Sequence, residues 1–147
     1  MATARDVAEY ILRLADTEVG DNDVTNLKLQ KLVYYVQGFH LALHDDAIFP
    51  DGIAPWTYGP VVPELYHTYK ENAGLPISPT PDYEFSVAFT EEQESLIKEV
   101  FNVYGQFSAW KLRDMTHQES PWRDANENGK ADISQESMRI FFKQHIN

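Results

Sequence analysis

One segment of the chain, residues 25 to 44, has apolar side chains on two nearly opposite sides of a helix. Its sequence is TNLKLQKLVYYVQGFHLALH, in which Thr25 is suited to cap the first turn. At about 100° per residue, this pattern predicts a central helix that packs against the rest of the chain on two sides. One face consists of Leu29, Leu32, Val33, Val36, His40 and Leu43, and the other of Leu27, Tyr34 and Leu41.

A strip between these two faces is basic. It carries Lys28, Lys31 and Tyr35, whereas the whole chain has 12 Lys and Arg against 23 Asp and Glu and a net charge of -11. We interpret this edge as a candidate contact surface for a partner. The acidic balance disfavours nonspecific attraction to nucleic acid or anionic lipid, so nucleic acid is not an expected partner and a basic protein is the better electrostatic match.

Helical periodicity and capping residues indicate further helices on both sides of this segment. A first amphipathic helix is expected to end near Gly20, and the last helix to follow Ser134. The pattern predicts a mainly α, compact single domain over residues 1–147, with about five to six helices around the central helix and a small β-hairpin. The remaining helix starts are expected at Pro63, Thr90 and Ser108, and Ser120 with Pro121 is expected to start only a short turn, PWRDA.

The stretch AIFPDGIAPWTYG is interpreted as two short extended segments around a Pro-Asp-Gly turn at residues 50–52. Gly59 then permits a sharp change of direction, and Pro60 keeps Gly59 out of the helical region. Because Pro63 suits the first turn of a helix, the stretch before it is predicted to join a strand to a helix. Residues 75–89 fit an edge strand and an irregular loop equally well.

Several aromatic residues could belong to the core or anchor a protein partner. Base rates favour the core for most of them, but joints between elements are also places where recognition surfaces form. We expect Tyr58 and Tyr66 to be the exposed anchors. Stacking on nucleic acid bases is a third use of such residues, which the acidic balance disfavours. The full set is Trp56, Tyr58, Tyr66, Trp110 and Trp122.

Two segments resemble metal sites, and each has a simpler structural explanation. His40 and His44 have a spacing found in zinc sites, but the glutamate of the H-E-x-x-H motif is absent and His40 lies on the apolar stripe. The stretch from Asp124 resembles a calcium-binding EF-hand loop, but Gln135 occupies the position of the bidentate glutamate. No metal or other cofactor is therefore predicted.

A histidine near a carboxylate raises the question of catalysis. His117 and Glu119 lie in THQESPW, and a histidine–carboxylate pair is one way to prepare a nucleophile, yet the sequence has no nucleophile motif and no cysteine. A histidine near a helix end can also simply bond the last carbonyl groups. We predict no catalytic residue, and a small metal-dependent or histidine-based enzyme is kept as an alternative.

The N-terminal sequence carries charges throughout and lacks the apolar core of a signal peptide. No apolar run reaches the length of a transmembrane helix. We therefore expect a cytoplasmic protein with no membrane partner.

Three stretches together resemble a known family: LKLQKLVYYVQGFHLAL, IAPWTYGPVVPELYHTYK and THQESPW. The chain resembles the Panacea antitoxin domain family, which includes the SocA-like proteolytic adaptor and phage-associated GepA-type proteins, over about residues 5–143. The positions that match its motifs are Lys28, Leu29, Lys31, Leu32, Tyr34, Tyr35 and Gln37, then Trp56, Tyr58, Gly59, Pro60 and Val61, and finally Thr116, His117, Pro121 and Trp122.

The resemblance implies a mostly α domain with a small β element. It further implies the antitoxin of a bacterial or prophage toxin–antitoxin pair, which binds and neutralises a toxin protein encoded beside it. One family member instead delivers its toxin to a cytosolic protease, and the residues do not separate these two functions. The chain is not expected to include the additional DNA-binding region that some members carry. For the partner contacts themselves, we expect Lys28, Lys31, Tyr35, Tyr58 and Tyr66.

Overall fold

A computed structural model describes residues 1–17 and 22–146 of the chain. The predicted end of the first helix, near Gly20, lies outside the described residues. Seven α-helices and one two-stranded sheet are found in the described part. They are α1 (Ala4–Thr17), α2 (Asn26–His44), β1 (Ala54–Trp56), β2 (Gly59–Val61), α3 (Pro63–Tyr69), α4 (Glu91–Tyr104), α5 (Ala109–His117), α6 (Ser120–Glu127) and α7 (Gln135–Lys143).

Helix α2 lies at the centre, as its two apolar faces predict. Helices α1, α3, α4, α5 and α7 and strand β2 all contact it. The prediction of a mainly α fold with a small hairpin is confirmed, although the described part has one helix more than expected. The additional element is α6, for which only a short turn was expected. It continues to Glu127 because Trp122 and Ala125 are buried where α6 meets β1, α5 and α7.

The predicted helix starts are mostly confirmed by capping contacts. The Thr25 hydroxyl accepts a hydrogen bond from the Lys28 backbone N–H, and Thr90 forms a reciprocal capping box with Gln93. The hydroxyls of Ser108 and Ser134 cap α5 and α7 as the Thr25 hydroxyl caps α2, each by accepting one backbone N–H. At α6 the prediction is off by one residue, since Glu119 is the N-cap and Ser120 is already helical, directly before Pro121.

The hairpin exists, but its turn is not where the sequence indicates. Ala54 pairs with Val61 and Trp56 pairs with Gly59, so the turn consists of Thr57 and Tyr58 and not of residues 50–52. Gly59 has a φ of 120°, a conformation that favours glycine directly after so tight a turn. Strand β2 then leads through Val62 into Pro63, which confirms the predicted joint between strand and helix.

The chain before the hairpin, residues 45–53, has no regular secondary structure, and Ile48 and Phe49 within it are buried. The Gln37 side chain binds their backbone, because its Nε2 donates to the Phe49 carbonyl (2.8 Å) and its Oε1 accepts from the Ile48 N–H (2.9 Å). The Asp51 carboxylate accepts a hydrogen bond from the Ala4 N–H on α1 (3.1 Å). These bonds explain why the Pro-Asp-Gly sequence does not form the hairpin turn.

Residues 75–89 form an irregular loop held by two buried carboxylates on α1. Glu9 accepts hydrogen bonds from the Thr80 N–H and hydroxyl, each 2.8 Å, and from the Tyr69 hydroxyl. Asp6 accepts from the Tyr83 hydroxyl (2.7 Å) and the Ser86 N–H (3.1 Å). Side-chain carboxylates thus satisfy loop backbone groups that a neighbouring strand would otherwise bind.

Helices α2 and α7 approach so closely that position 38 has room only for glycine. A Cβ on Gly38 would overlap the ring of Phe142, which is buried. Gly38→Ala is therefore expected to lower the free energy of unfolding by about 1–3 kcal/mol through overpacking, measured by urea denaturation.

Gly74→Ala is the matched control, because no atom of the described residues lies within 4 Å of a Cβ at that position. Its free energy of unfolding should stay within about 0.5 kcal/mol of the wild-type value. Equal stability of the two variants would show that the contact between α2 and α7 does not depend on Gly38.

Candidate partner-binding site

A groove lined by aromatic side chains lies between the start of α2, the hairpin, α3 and the start of α5. Its volume is about 430 Å³, and none of the described residues that line it is charged. We refer to it as the aromatic groove. Its principal lining residues are Leu27, Trp56, Tyr58, Val61, Tyr66 and Trp110.

The aromatic rings are positioned in pairs by different elements. Trp56, at the end of β1, packs edge-on against Tyr66 of α3, with ring centroids 5.3 Å apart. Tyr58, in the hairpin turn, packs edge-on against Trp110 of α5, with centroids 6.3 Å apart. Large parts of three of these side chains remain in solvent: 38% of Trp56, 54% of Tyr58 and 60% of Trp110. Exposed Trp and Tyr side chains of this kind are typical anchors of protein interfaces.

The structure brings together the two aromatic residues that the sequence suggested as anchors. Tyr58 is exposed, Tyr66 is half-buried, and both line the aromatic groove. Trp110 belongs to the set of candidate aromatic residues but was not chosen as an exposed anchor, although its position in the helix indicates exposure. In AWKLRDMTH the buried side chains of α5 are Leu112 and Thr116, and Trp110 lies off that stripe, two residues before Leu112.

The predicted basic edge of α2 is not a surface, so this prediction is wrong. Lys28, Lys31 and Tyr35 are 1%, 0% and 0% exposed. The Lys28 ammonium donates to the Asp23 carboxylate (2.9 Å) and to the Gly105 carbonyl (2.6 Å), and Tyr35 stacks on Tyr104. These side chains are buried because α4, α5 and α7 pack around α2 beyond its two apolar faces.

Lys31 is enclosed by the hairpin. Its Nζ donates to the Leu27 carbonyl (3.2 Å), and a Cβ on Gly59 would lie 2.9 Å from Lys31 Cε and 3.2 Å from Thr116 Oγ1. Burial and the nearby Arg113 guanidinium lower the pKa of Lys31 to about 7. Position 59 therefore favours glycine for two reasons: its φ is positive, and the hairpin backbone approaches Lys31 of α2 closely at this point.

Residues of the THQESPW stretch hold the hairpin in place. Thr116 is fully buried, and its hydroxyl donates to the Arg113 carbonyl (2.9 Å). His117 stacks on Trp122, with ring centroids 3.9 Å apart and planes at 6°. The Trp122 Nε1–H donates to the Trp56 carbonyl (2.8 Å). This network fixes the backbone that carries the aromatic groove.

The other motif residues are also placed inside the fold. Leu29, Leu32 and Tyr34 of α2 are buried, as are Pro60 and Val61 of β2 and Pro121 at the start of α6. Val62, directly after β2, donates its N–H to Gln30 Oε1 (2.9 Å). The three stretches that carry the family resemblance therefore meet around one end of α2.

Glu119 does not pair with His117. Its two carboxylate oxygens instead accept hydrogen bonds from the hydroxyls of Tyr34 (3.3 Å) and Tyr35 (2.8 Å). Burial raises the pKa of Glu119 to about 7, against the opposing effect of these two hydrogen bonds. Burial and the Arg113 charge lower the pKa of His117. The suspected histidine–carboxylate pair is thus not formed.

The segments that resemble metal sites take part in ordinary local structure. The rings of His40 and His44 are 4.7 Å apart, and His40 Nδ1 lies 2.6 Å from the Asp46 carbonyl oxygen. Asp124 and Asn126, which would begin an EF-hand loop, lie within α6. Across residues 1–17 and 22–146, no cluster of three or more His, Cys, Asp or Glu side chains could hold a metal ion.

Comparison with known proteins identifies the family. Residues 29–123 match the family model described as antitoxin SocA-like, Panacea domain, which covers more than half of the 147 residues. The chain belongs to this family, and the match contains the four aromatic residues of the groove, Trp56, Tyr58, Tyr66 and Trp110. No curated protein and no solved structure matches the chain.

The family indicates an antitoxin-type, non-enzymatic role and a partner of the toxin-protein type in general. The predicted extent of the domain, residues 1–147, stays a prediction, because the match spans a part of it. In the described ranges, no helix combines the length and apolar character needed to cross a bilayer.

Glu119 should make stability depend on pH. Its pKa in the folded chain, about 7, lies above its ordinary value of 4.5. Between these values the folded chain binds more protons than the unfolded chain, so the free energy of unfolding falls as pH rises. Glu119→Gln removes this contribution. From pH 5 to pH 7 we expect its stability relative to wild type to rise by about 1–3 kcal/mol, measured by urea denaturation.

The quantity to compare is the difference in free energy of unfolding between variant and wild type at each pH. The histidines contribute equally to the pH dependence of both proteins, so their contribution cancels in this difference. Glu127→Gln, on an exposed position of the same helix, is the control and should follow the wild-type curve. A Glu119→Gln curve parallel to that of wild type would show that Glu119 titrates as an ordinary surface carboxyl.

Proposed function

We propose that the chain neutralises a protein toxin by direct binding, and that the aromatic groove is the binding surface. The observation that carries this proposal is the convergence of four aromatic side chains on one uncharged groove in a member of an antitoxin family. Trp and Tyr are the residues most often found at the energetic centre of protein interfaces. The toxin is the expected product of an adjacent gene, and both proteins are expected in the cytoplasm.

The groove is suited to binding because its framework is already rigid. The Trp122 hydrogen bond to Trp56 and the close contact between Gly59 and Lys31 fix both ends of the hairpin. A preorganised surface loses little conformational entropy on association, so more of the contact energy appears as affinity. The exposed rings of Tyr58 and Trp110 supply apolar area that a partner can bury.

The charge of the chain favours a basic toxin. A net charge of -11 raises the rate of encounter with a positively charged partner, and this effect falls with ionic strength. The bound antitoxin would then block the toxin by covering its substrate-binding surface. In this scheme long-range charge sets the association rate, and the aromatic contacts set the lifetime of the complex.

A growth assay tests the proposal. Each reading frame adjacent to the gene of this chain is expressed from an inducible promoter, alone and together with this chain. The expected result is that one neighbour arrests growth, that co-expression restores it, and that the two purified proteins form a complex. If no neighbour is toxic, or if growth is not restored, the proposed function is wrong.

The half-life of the toxin separates blocking from delivery to a protease. Under direct neutralisation, the toxin should persist in growing cells as a complex with this chain. A half-life that shortens when this chain is present, and recovers when a cytosolic protease is deleted, would instead identify a proteolytic adaptor.

Substitutions in the groove should weaken the complex without unfolding the chain. Tyr58→Ala, Tyr66→Ala and Trp110→Ala are each expected to raise the Kd for the toxin by about tenfold or more, because each removes an aromatic anchor. Titration calorimetry with the purified toxin measures the effect, and circular dichroism verifies the fold.

Ile140→Ala is the control, because Ile140 is an exposed apolar residue of α7 outside the groove. Its Kd should equal that of wild type. If Ile140→Ala weakened binding and the three groove variants did not, the toxin would bind on the α7 side of the molecule.

A further inference from the structure

Basic side chains gather behind one end of the aromatic groove, although the chain as a whole is strongly acidic. The Arg113 guanidinium carbon lies 5.8 Å from the Tyr58 ring centroid and 5.2 Å from that of Trp110. Lys31 is packed beneath Gly59, the residue that follows Tyr58. His117 is close enough for the Arg113 and Lys31 charges to lower its pKa. Three basic groups therefore lie close together at the Tyr58 end of the groove.

This basic cluster has little countercharge. Arg113 forms one ion pair, with Asp114 at 3.3 Å, and the Asp114 side chain is 61% exposed, so water screens the pair. Lys31 has no ion pair with any carboxylate in the described ranges, and its Nζ donates to a backbone carbonyl. The carboxylate of Glu119 accepts hydrogen bonds from two tyrosines.

The cluster also has unused hydrogen-bonding capacity. Arg113 Nε is a buried nitrogen atom without a hydrogen-bond partner among the described residues. Buried polar atoms are nearly always paired, so such an atom beside a groove requires an explanation. The Arg113 side chain is 28% exposed, and its position against two aromatic rings orients the guanidinium. An oriented guanidinium is well matched to a carboxylate, which it can bind through two parallel hydrogen bonds.

We propose that the rim of the aromatic groove beside Tyr58 binds a carboxylate of the partner protein, with Arg113, which stands just outside the groove lining, as the residue that contacts it. An apolar or aromatic side chain of the same partner segment fills the uncharged part of the groove. The inference rests on the proposed function and adds to it the chemistry of the segment that binds. Arg113 is the fully charged member of the cluster, Lys31 behind it is partly protonated near neutral pH, and neither Lys31 nor His117 contacts the carboxylate.

A single carboxylate is compatible with the net charge of -11, whereas a polyanion is not. At physiological ionic strength, charges more than about 8 Å apart are largely screened, so the local basic cluster dominates the potential where the segment binds. A nucleic acid or a densely phosphorylated partner would also approach the acidic remainder of the surface and be repelled. A mostly basic protein with one acidic side chain at the contact meets both conditions.

Two small probes test the inference with the full chain alone. N-acetyl-tryptophan has a free carboxylate, whereas N-acetyl-tryptophan amide has the same ring and no charge. Each is titrated into the protein while the indole N–H signals of the 3 tryptophans are followed by NMR. Both probes should shift the Trp110 signal, and the carboxylate should bind about tenfold more tightly, as expected for one charge-assisted hydrogen-bonded contact.

Two arginine variants show whether Arg113 causes the preference. Arg113→Gln should bind the two probes equally, whereas Arg123→Gln, on the exposed side of α6, should keep the tenfold preference of wild type. Equal binding of the two probes by wild type would overturn the inference, and this comparison needs no variant to fold. An unchanged preference in a folded Arg113→Gln protein would overturn it as well.

Failure of the carboxylate contact can be distinguished from failure of the proposed toxin neutralisation. If the toxin binds wild type and Arg113→Gln equally well, the carboxylate contact is wrong and direct neutralisation stands. If the probes show the carboxylate preference and no adjacent gene product binds, the site stands and the proposed toxin partner is wrong.

Discussion

The fold depends on the way that the polar side chains of α2 are satisfied inside the protein. Asn26 donates to the Tyr66 carbonyl of α3, Lys28 to the Gly105 carbonyl after α4, and Gln37 to the Phe49 carbonyl in the segment before the hairpin. Gln30 accepts from Val62 at the exit of the hairpin. Each of these bonds joins the central helix to a different neighbour, and each would leave a buried polar group unpaired if it broke. Such a loss typically costs about 1–3 kcal/mol, so these polar contacts define where the neighbouring elements lie.

The arrangement also explains which features of the fold can be predicted from the sequence. Local signals were sufficient for the two apolar faces of α2 and for the caps at Thr25, Thr90, Ser108 and Ser134, because these depend on residues within one or two turns. The burial of Lys28 and Lys31 was not predictable in this way, since their acceptors and covering groups are placed by the tertiary fold. The same reason explains the misplaced turn: the backbone of residues 48–49 binds Gln37, and no local pattern indicates that contact.

The candidate site combines residues that hold the hairpin in shape with residues that line the groove. Gly59, Thr116, His117 and Trp122 are packed beneath or beside the hairpin and hold its shape. Tyr58 and Trp110 project from that framework toward solvent, and the half-buried Tyr66 lines the groove beside them. Sequence patterns identified Tyr58 and Tyr66 because they flank a joint in the chain. The groove itself was not predictable, since Trp110 reaches it from a helix more than forty residues further along the chain.

The contacts around α2 have a consequence for the order in which the chain can fold. The hydroxyl of Tyr35 binds a carboxylate 84 residues later, and the loop backbone that Glu9 binds is 71 residues later. Phe142 covers Gly38 only when α7 has been made. During synthesis, α1 and α2 therefore leave the ribosome long before the groups that cover them, and this part of the core closes only once α7 has been made. Incomplete chains would expose the apolar faces of α2, which is the kind of surface that chaperones and proteases recognise. Chaperones and proteases would accordingly act on incomplete chains more than on folded ones.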